Sequence, residues 1–197
     1  MSYEILPLSL DTTALSGLST ALIQSHYGNN YGGTVKRLNA IQKQLGNVDV
    51  DHVPGSVLNA LKRDELTAYN SMLLHEIYFD SLGGDGLLPM GSLRSAIERD
   101  FGSVVRWQTE FVAMGKALGG GSGWVLLEKS PRDGKLSNQW TADDCHSLAG
   151  GVPLLALDMY RHAYHIDFET KAAAYVDAFM QNIDWSHVEK RWGKSAC

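Results

Sequence analysis

A short apolar run that ends in an acid and is followed by a histidine constrains this chain more than any other feature. Leu154-Leu155-Ala156-Leu157 is long enough for one buried strand, and Asp158 stands at its end. His162 follows four residues later, so a helical turn after the strand brings imidazole and carboxylate close in space. An acid and an imidazole held at a strand end can grip a metal ion while leaving coordination positions open. Far upstream, His26 and His75 each fall on a segment that reads as a helix face. Together the four side chains make a candidate site of three imidazoles and one carboxylate.

The chain's bulk properties narrow the setting of such a site. A length of 197 residues suits one large domain or two small ones packed together, with a substantial core. The formal net charge of -5, with no basic run, argues against nucleic acid as a partner. No apolar run approaches the ~20 residues that span a bilayer, so no membrane partner is expected. The opening Met1 to Pro7 shows no charged leader before an apolar stretch, and no signal peptide is expected there. Cys145 and Cys197 do not form a metal-ligand spacing, which favours a reduced, cytoplasmic compartment.

Periodicity predicts a helix from Leu10 to about Leu45, with Leu15, Leu18, Leu22 and His26 on one face and a kink or restart near Gly32. Gly46 to Val57 reads as a polar connector. A second helix is predicted from about Glu65 to Leu82, carrying Leu66, Tyr69, Leu73 and Tyr78. Gly83-Gly84-Asp85-Gly86 and Pro89 then break the chain, which sets an N-terminal unit of residues 1–88 against a C-terminal unit of 89–197. In the second unit, helices are predicted over Ser92 to Arg99 and Val104 to Leu118, with Ser103 as a cap. Trp124 to Glu128, Leu136 to Thr141 and Val152 to Leu157 read as three short strands, the first two joined by a Pro/Asp/Gly turn. Helices over Thr170 to Asn182 and Trp185 to Trp192 close the chain. The pattern is that of an α+β protein with a small antiparallel sheet.

Each candidate ligand has a blander use when taken alone. A single His on an apolar face is usually a packed core residue, Asp158 could cap a helix, and His162 could be an ordinary residue of the turn that follows. All four would have to be bland at once. As ligands they form a set compatible with Fe, Mn, Co or Zn. His75-Glu76-Ile77-Tyr78-Phe79 lacks the second His of a zinc-peptidase helix, and paired Glu-x-x-His repeats of a di-iron bundle are missing. One redox metal is the simplest fit.

Here a resemblance becomes specific. Asp158-Met159-Tyr160-Arg161-His162-Ala163-Tyr164 resembles the D-x-[WY]-E-H-A-[YF] signature of the iron/manganese superoxide dismutase family. Ala96 to Ser103, Gly121-Ser122-Gly123-Trp124, and Tyr175 to Phe179 before Asn182-Ile183-Asp184-Trp185 are similar to that family as well, in the right order over nearly the whole chain. The resemblance implies an N-terminal α-hairpin domain and a C-terminal α/β domain with a three-stranded antiparallel sheet, the metal lying between them. It implies His26, His75, Asp158 and His162 as ligands of one iron or manganese ion, with iron slightly preferred. The implied reaction converts superoxide to dioxygen and hydrogen peroxide in two half-reactions. A non-catalytic or differently specialised metal-binding protein on the same fold is the alternative.

Several positions depart from the commonest family pattern. The Gln that contacts metal-bound solvent in many members is absent: Ser71 stands at one of its two places, and the other falls in Asp143-Asp144-Cys145-His146. His146 is the expected replacement, as in a subset of the family. Asn30 and Thr34 stand where a His and a Tyr usually shape the substrate funnel. Tyr27 and Tyr31 are the remaining aromatic candidates to line the site, and Trp124 matches an aromatic residue beside the ligands. His52, His165 and His187 are expected to be structural or surface residues. Substrate attraction would fall to Lys36 or Arg37, since the usual Arg at the funnel edge is replaced by Ala172 beside Lys171. Arg161 replaces a Glu that accepts a hydrogen bond from a ligand His across the family's dimer. A homodimer would therefore lack that bridge.

Overall fold

A computed structural model describes residues 2–195; Cys197 lies outside the described residues. The chain is α+β, with a helical N-terminal region followed by helices packed on a three-stranded antiparallel sheet. The element order is α1 (Thr20–Ser25), a π-helical turn (His26–Tyr31), α2 (Gly32–Gly46), α3 (Gly55–Asp80), α4 (Ser92–Phe101), α5 (Val104–Ala117), β1 (Trp124–Lys129), β2 (Leu136–Thr141), β3 (Val152–Asp158), a 3-10 turn (Arg161–Ala163), α6 (His165–Phe168), α7 (Ala172–Gln181) and α8 (Trp185–Lys194).

The first predicted helix is shorter than expected. Ser16 cannot join it, because its N–H and C=O are both held by the Asn182 side chain at 2.7 Å. Helix α1 starts instead where the Ser19 hydroxyl accepts from Leu22 N–H. The expected interruption before Gly32 is a widened turn in which Gly32 N–H donates to the Tyr27 carbonyl five residues earlier.

Helix α3 is longer than expected, beginning just after Pro54, and its first turns are mostly exposed. An exposed stretch leaves no apolar stripe to read. Its buried face also differs: Ala68, Ser71, Met72, His75 and Phe79 face inward, while Leu66 and Leu73 are exposed. Pairs Tyr31–Glu76 and Thr34–Ser71 run in opposite senses along the chain, so α2 and α3 form an antiparallel hairpin.

In the sheet, β1 is central, in the order β2-β1-β3. Trp124 pairs with Asp158 on one side and Thr141 on the other. Leu154 through Asp158 are all buried, because α3 and α8 both pack against β3. Gly123 closes this end of the sheet. Its φ of 121° and the Thr141 carbonyl 2.1 Å from where a Cβ would lie exclude other residues, and its own carbonyl accepts from Met159 N–H at 2.9 Å.

Helix α3 is tied back to the C-terminal region where it ends. Leu82 bridges Ile183, and the N–H groups of Gly83 and Gly84 donate to the Asn182 carbonyl. A Cβ on Gly84 would meet the Ile183 carbonyl at 2.3 Å. Arg191 of α8 donates to Asp80, to the Ser81 hydroxyl at 2.6 Å and to the Leu154 carbonyl at 2.8 Å. One guanidinium thus joins α3, α8 and β3, fixing His75 and Asp158 on a common frame.

Candidate metal centre

Four elements from three distant parts of the chain deliver four side chains to one point. His26 comes from the start of the π-helical turn, His75 from the buried face of α3, Asp158 from the end of β3 and His162 from the 3-10 turn after it. Asp158 Oδ2 lies 3.1 Å from His26 Nε2, 3.1 Å from His162 Nε2 and 3.6 Å from His75 Nε2. His26 and Asp158 are fully buried, His75 is nearly so, and His162 is partly exposed.

Local contacts aim each donor. His75 Nδ1–H donates to the Ser71 carbonyl at 2.7 Å, which leaves Nε2 as the free lone pair. Asp158 Oδ1 accepts from Tyr160 N–H at 2.8 Å, and its backbone carbonyl accepts from the Tyr175 hydroxyl at 2.8 Å. The ring of Tyr160 stacks on His162 with centroids 5.4 Å apart, and the Trp124 ring meets His75 edge-on at 5.2 Å.

Burial sets the protonation states. It pushes His75 down to about 4, aided by nearby His26, and it lowers His26 despite the Asp158 carboxylate. Burial alone would raise Asp158, but hydrogen bonds from His162 and His26 outweigh it and hold the carboxyl well below the usual range. Neutral imidazoles beside an ionised carboxylate are the forms that bind a metal.

The residues present fit one cation. His75 Nε2 is buried with no hydrogen-bond partner among the described residues, although it points at the same oxygen as two other imidazoles. One carboxylate oxygen cannot serve three rings. A single ion with ligand bonds of about 2.0–2.2 Å can, since such bonds put donors roughly 3–4 Å apart.

A cavity of about 360 Å³ opens onto His75 and His162. Asn30, Thr34, Ser71, Asp144 and Tyr160 line it, with Asn29, Gly33 and Arg37 further along its wall. Thr34 and Ser71 hydroxyls face each other at 3.4 Å. The structure therefore brings Asn30 to the cavity wall and Trp124 against a candidate ligand.

Two expected residues lie elsewhere. The Tyr31 ring is buried beyond His75, and its hydroxyl accepts from Leu6 N–H at 2.9 Å and donates to Glu76 at 3.0 Å. Tyr27 likewise donates to the Leu6 carbonyl at 2.7 Å. Both tyrosines clasp the N-terminal segment around an apolar groove of about 560 Å³ whose lining includes none of the four donors. His146 is the second correction. Its side chain is 68% exposed, and its Nδ1 is 2.7 Å from Asp143 Oδ1, which also accepts from Cys145 N–H. That tight turn points the imidazole outward. The acid two residues earlier, Asp144, is the one that reaches the cavity, and sequence reasoning passed over it.

Two of the remaining histidines sit beside acids and the third is exposed. His52 is exposed beside Asp49, His187 bridges toward Asp80 and Asp184, and His165 is an exposed residue of α6. Of the two lysine and arginine candidates, Arg37 lines the cavity and Lys36 does not.

Comparison with known proteins assigns the chain a family. Residues 89–191 match the family model described as iron/manganese superoxide dismutases, C-terminal domain. The chain is 64% identical to the superoxide dismutase [Fe] of Cupriavidus metallidurans, over 98% of this chain and 97% of the relative. The chain belongs to the iron/manganese superoxide dismutase family. Other members include the superoxide dismutase [Fe] of Aquifex pyrophilus, 34% identical over 92% of this chain and 87% of the relative. Superoxide dismutase [Mn] 1 of Halobacterium salinarum is 32% identical over 98% of this chain and 96% of the relative. Iron and manganese members thus both match over nearly full length. Among the described residues no helix is long and apolar enough to cross a membrane.

Proposed function

We propose that His26, His75, Asp158 and His162 hold one iron or manganese ion, at which the protein disproportionates superoxide to dioxygen and hydrogen peroxide. The observation that carries this reading is the convergence of three imidazole nitrogens on one buried carboxylate oxygen, two of the rings, His75 and His162, also lining a cavity. A bound iron or manganese ion would supply a one-electron couple that takes an electron from one superoxide and gives one to another. The protein's part is to keep His26 and His75 neutral and Asp158 ionised. The rings of Tyr78 and Phe79 pack against His26 and that of Trp124 against His75. Asn30 and Tyr160 border the approach. We place the boundary between an N-terminal and a C-terminal domain near residue 88 and the protein in the cytoplasm.

The test is to purify the protein without metal, load it separately with iron and with manganese, and assay superoxide disproportionation. Activity restored by one equivalent of either ion supports the reading. Stoichiometric metal without activity would favour a non-catalytic metal protein instead.

A further inference from the structure

Leu73, Glu76, Ile77 and Asp80 repeat at three and four residues, so they form one stripe along α3. The stripe lines the apolar groove of about 560 Å³, together with the segment from Leu6 to Ser9 and the start of β3 at Val152 and Pro153. The groove shares no lining residue with the cavity over the donor cluster. Its volume is that of a small-molecule site, which runs from roughly 300 to 1,000 Å³.

Three charged residues line the groove, and they are not equivalent. The Arg191 guanidinium is committed to Asp80, the Ser81 hydroxyl and the Leu154 carbonyl. Asp80 also meets His187 Nδ1 at 2.5 Å. Glu76 forms no ion pair among the described residues. Its Oε1 accepts from the Tyr31 hydroxyl at 3.0 Å, and that hydroxyl accepts from Leu6 N–H at 2.9 Å. The carboxylate is therefore held in place from one side only. Its Oε2 has no hydrogen-bond partner among the described residues. A half-buried carboxylate with one oxygen unengaged, set among apolar walls, is an anchor for a cationic donor.

We propose that this groove binds a small amphipathic amine, whose ammonium donates to Glu76 Oε2 and whose hydrocarbon body lies against Leu6, Leu73, Ile77 and Val152. Charge complementarity selects this class. The lining sets two acids against one base, so it repels an anion. A purely apolar occupant would cover Glu76 and leave its charge without a partner, which is costly. The site is independent of the metal reading.

The experiment is isothermal titration calorimetry at pH 7 on the metal-loaded protein, with hexylamine as the probe and 1-hexanol as its uncharged counterpart. The proteins are wild type, Glu76→Gln, Leu73→Lys and, as a control, Asp64→Asn, which removes an exposed charge of α3 outside the groove. Gln keeps an acceptor for the Tyr31 hydroxyl. Leu73 is 40% exposed, so Leu73→Lys tests the groove even if Glu76→Gln does not fold. Wild type and Asp64→Asn are expected to bind one hexylamine with a Kd of about 1 mM or tighter. Glu76→Gln should bind it about tenfold more weakly, Leu73→Lys more weakly still, and wild type should bind 1-hexanol about tenfold more weakly than the amine. That pattern supports the proposal. It is overturned by wild type that shows no saturable uptake of hexylamine, by 1-hexanol binding as tightly, by undiminished affinity in Glu76→Gln or Leu73→Lys, or by an equal loss in Asp64→Asn.

Discussion

The His75 Nδ1–H donates to the carbonyl of Ser71, one turn earlier on the same helix, at 2.7 Å. This contact gives the ring a fixed tautomer and turns Nε2 toward Asp158, while burial keeps the ring neutral down to about 4. In the unfolded chain the same imidazole takes up a proton near 6.5. The unfolded state then binds more protons in that window, so acidification favours unfolding. His26 shifts in the same direction. The metal-free protein should lose stability as pH falls from about 6.5 to about 4. Urea denaturation across that range checks it, and a flat profile would contradict neutral burial.

Glu128 works in the opposite sense. It lies buried in β1, and neither carboxylate oxygen has a hydrogen-bond partner among the described residues. Burial raises its proton affinity, partly opposed by the nearby Leu148 N–H. With the folded value above the unfolded one, the folded state holds the extra proton, and stability is lost as pH rises beyond about 4.5. Glu128→Gln should therefore be more stable than wild type at pH 7, by about 1 kcal/mol or more. The gain should fade below about pH 4.5. Paired denaturation curves at pH 4 and 7 would expose a wrong sign.

Arg37 is an exposed cation on the wall of the cavity and forms no ion pair among the described residues. A net charge of -5 repels an anionic substrate, so local attraction must come from such a group and the metal. Arg37→Ala should lower kcat/KM at low ionic strength by about two- to threefold and flatten its salt dependence. Stopped-flow rates from low to high salt would read this. Equal slopes for both proteins would remove Arg37 from the attraction.

Arg161 lies exposed in the 3-10 turn, next to His162, and makes no ion pair among the described residues. A guanidinium cannot accept a hydrogen bond. Two copies brought together near a two-fold axis would repel. Arg161→Glu should tighten self-association by about tenfold or more, equivalent to about 1.4 kcal/mol. Light scattering over a dilution series measures the constant, and identical values for both proteins would show that this position does not control assembly.

The four candidate ligands were legible because each had a nearby partner in the pattern: Asp158 and His162 at helical spacing after an apolar strand, His75 on a strongly helical segment, His26 after Leu22. The strands were legible for a similar reason, as β-forming runs bounded by Gly, Pro and Asp. The π-helical turn at His26 was not, since it depends on hydrogen bonds five residues apart that no residue type announces. The first turns of α3 were missed because they are mostly exposed. At the cavity, a two-residue difference in a loop decided the matter. His146 looked the better hydrogen-bonding group, yet Asp143 captures its imidazole and the turn places Asp144 beneath Trp124 instead.

The most direct test of the donor assignment is metal content and superoxide disproportionation measured on the same preparations of wild type, His75→Ala and Asp158→Ala. Circular dichroism on each, with metal-free wild type as reference, shows whether the fold is retained. Wild type is expected to hold one iron or manganese ion per chain and to be active, and each variant is expected to lose both. A folded His75→Ala or Asp158→Ala protein that keeps full metal and full turnover would contradict the assignment.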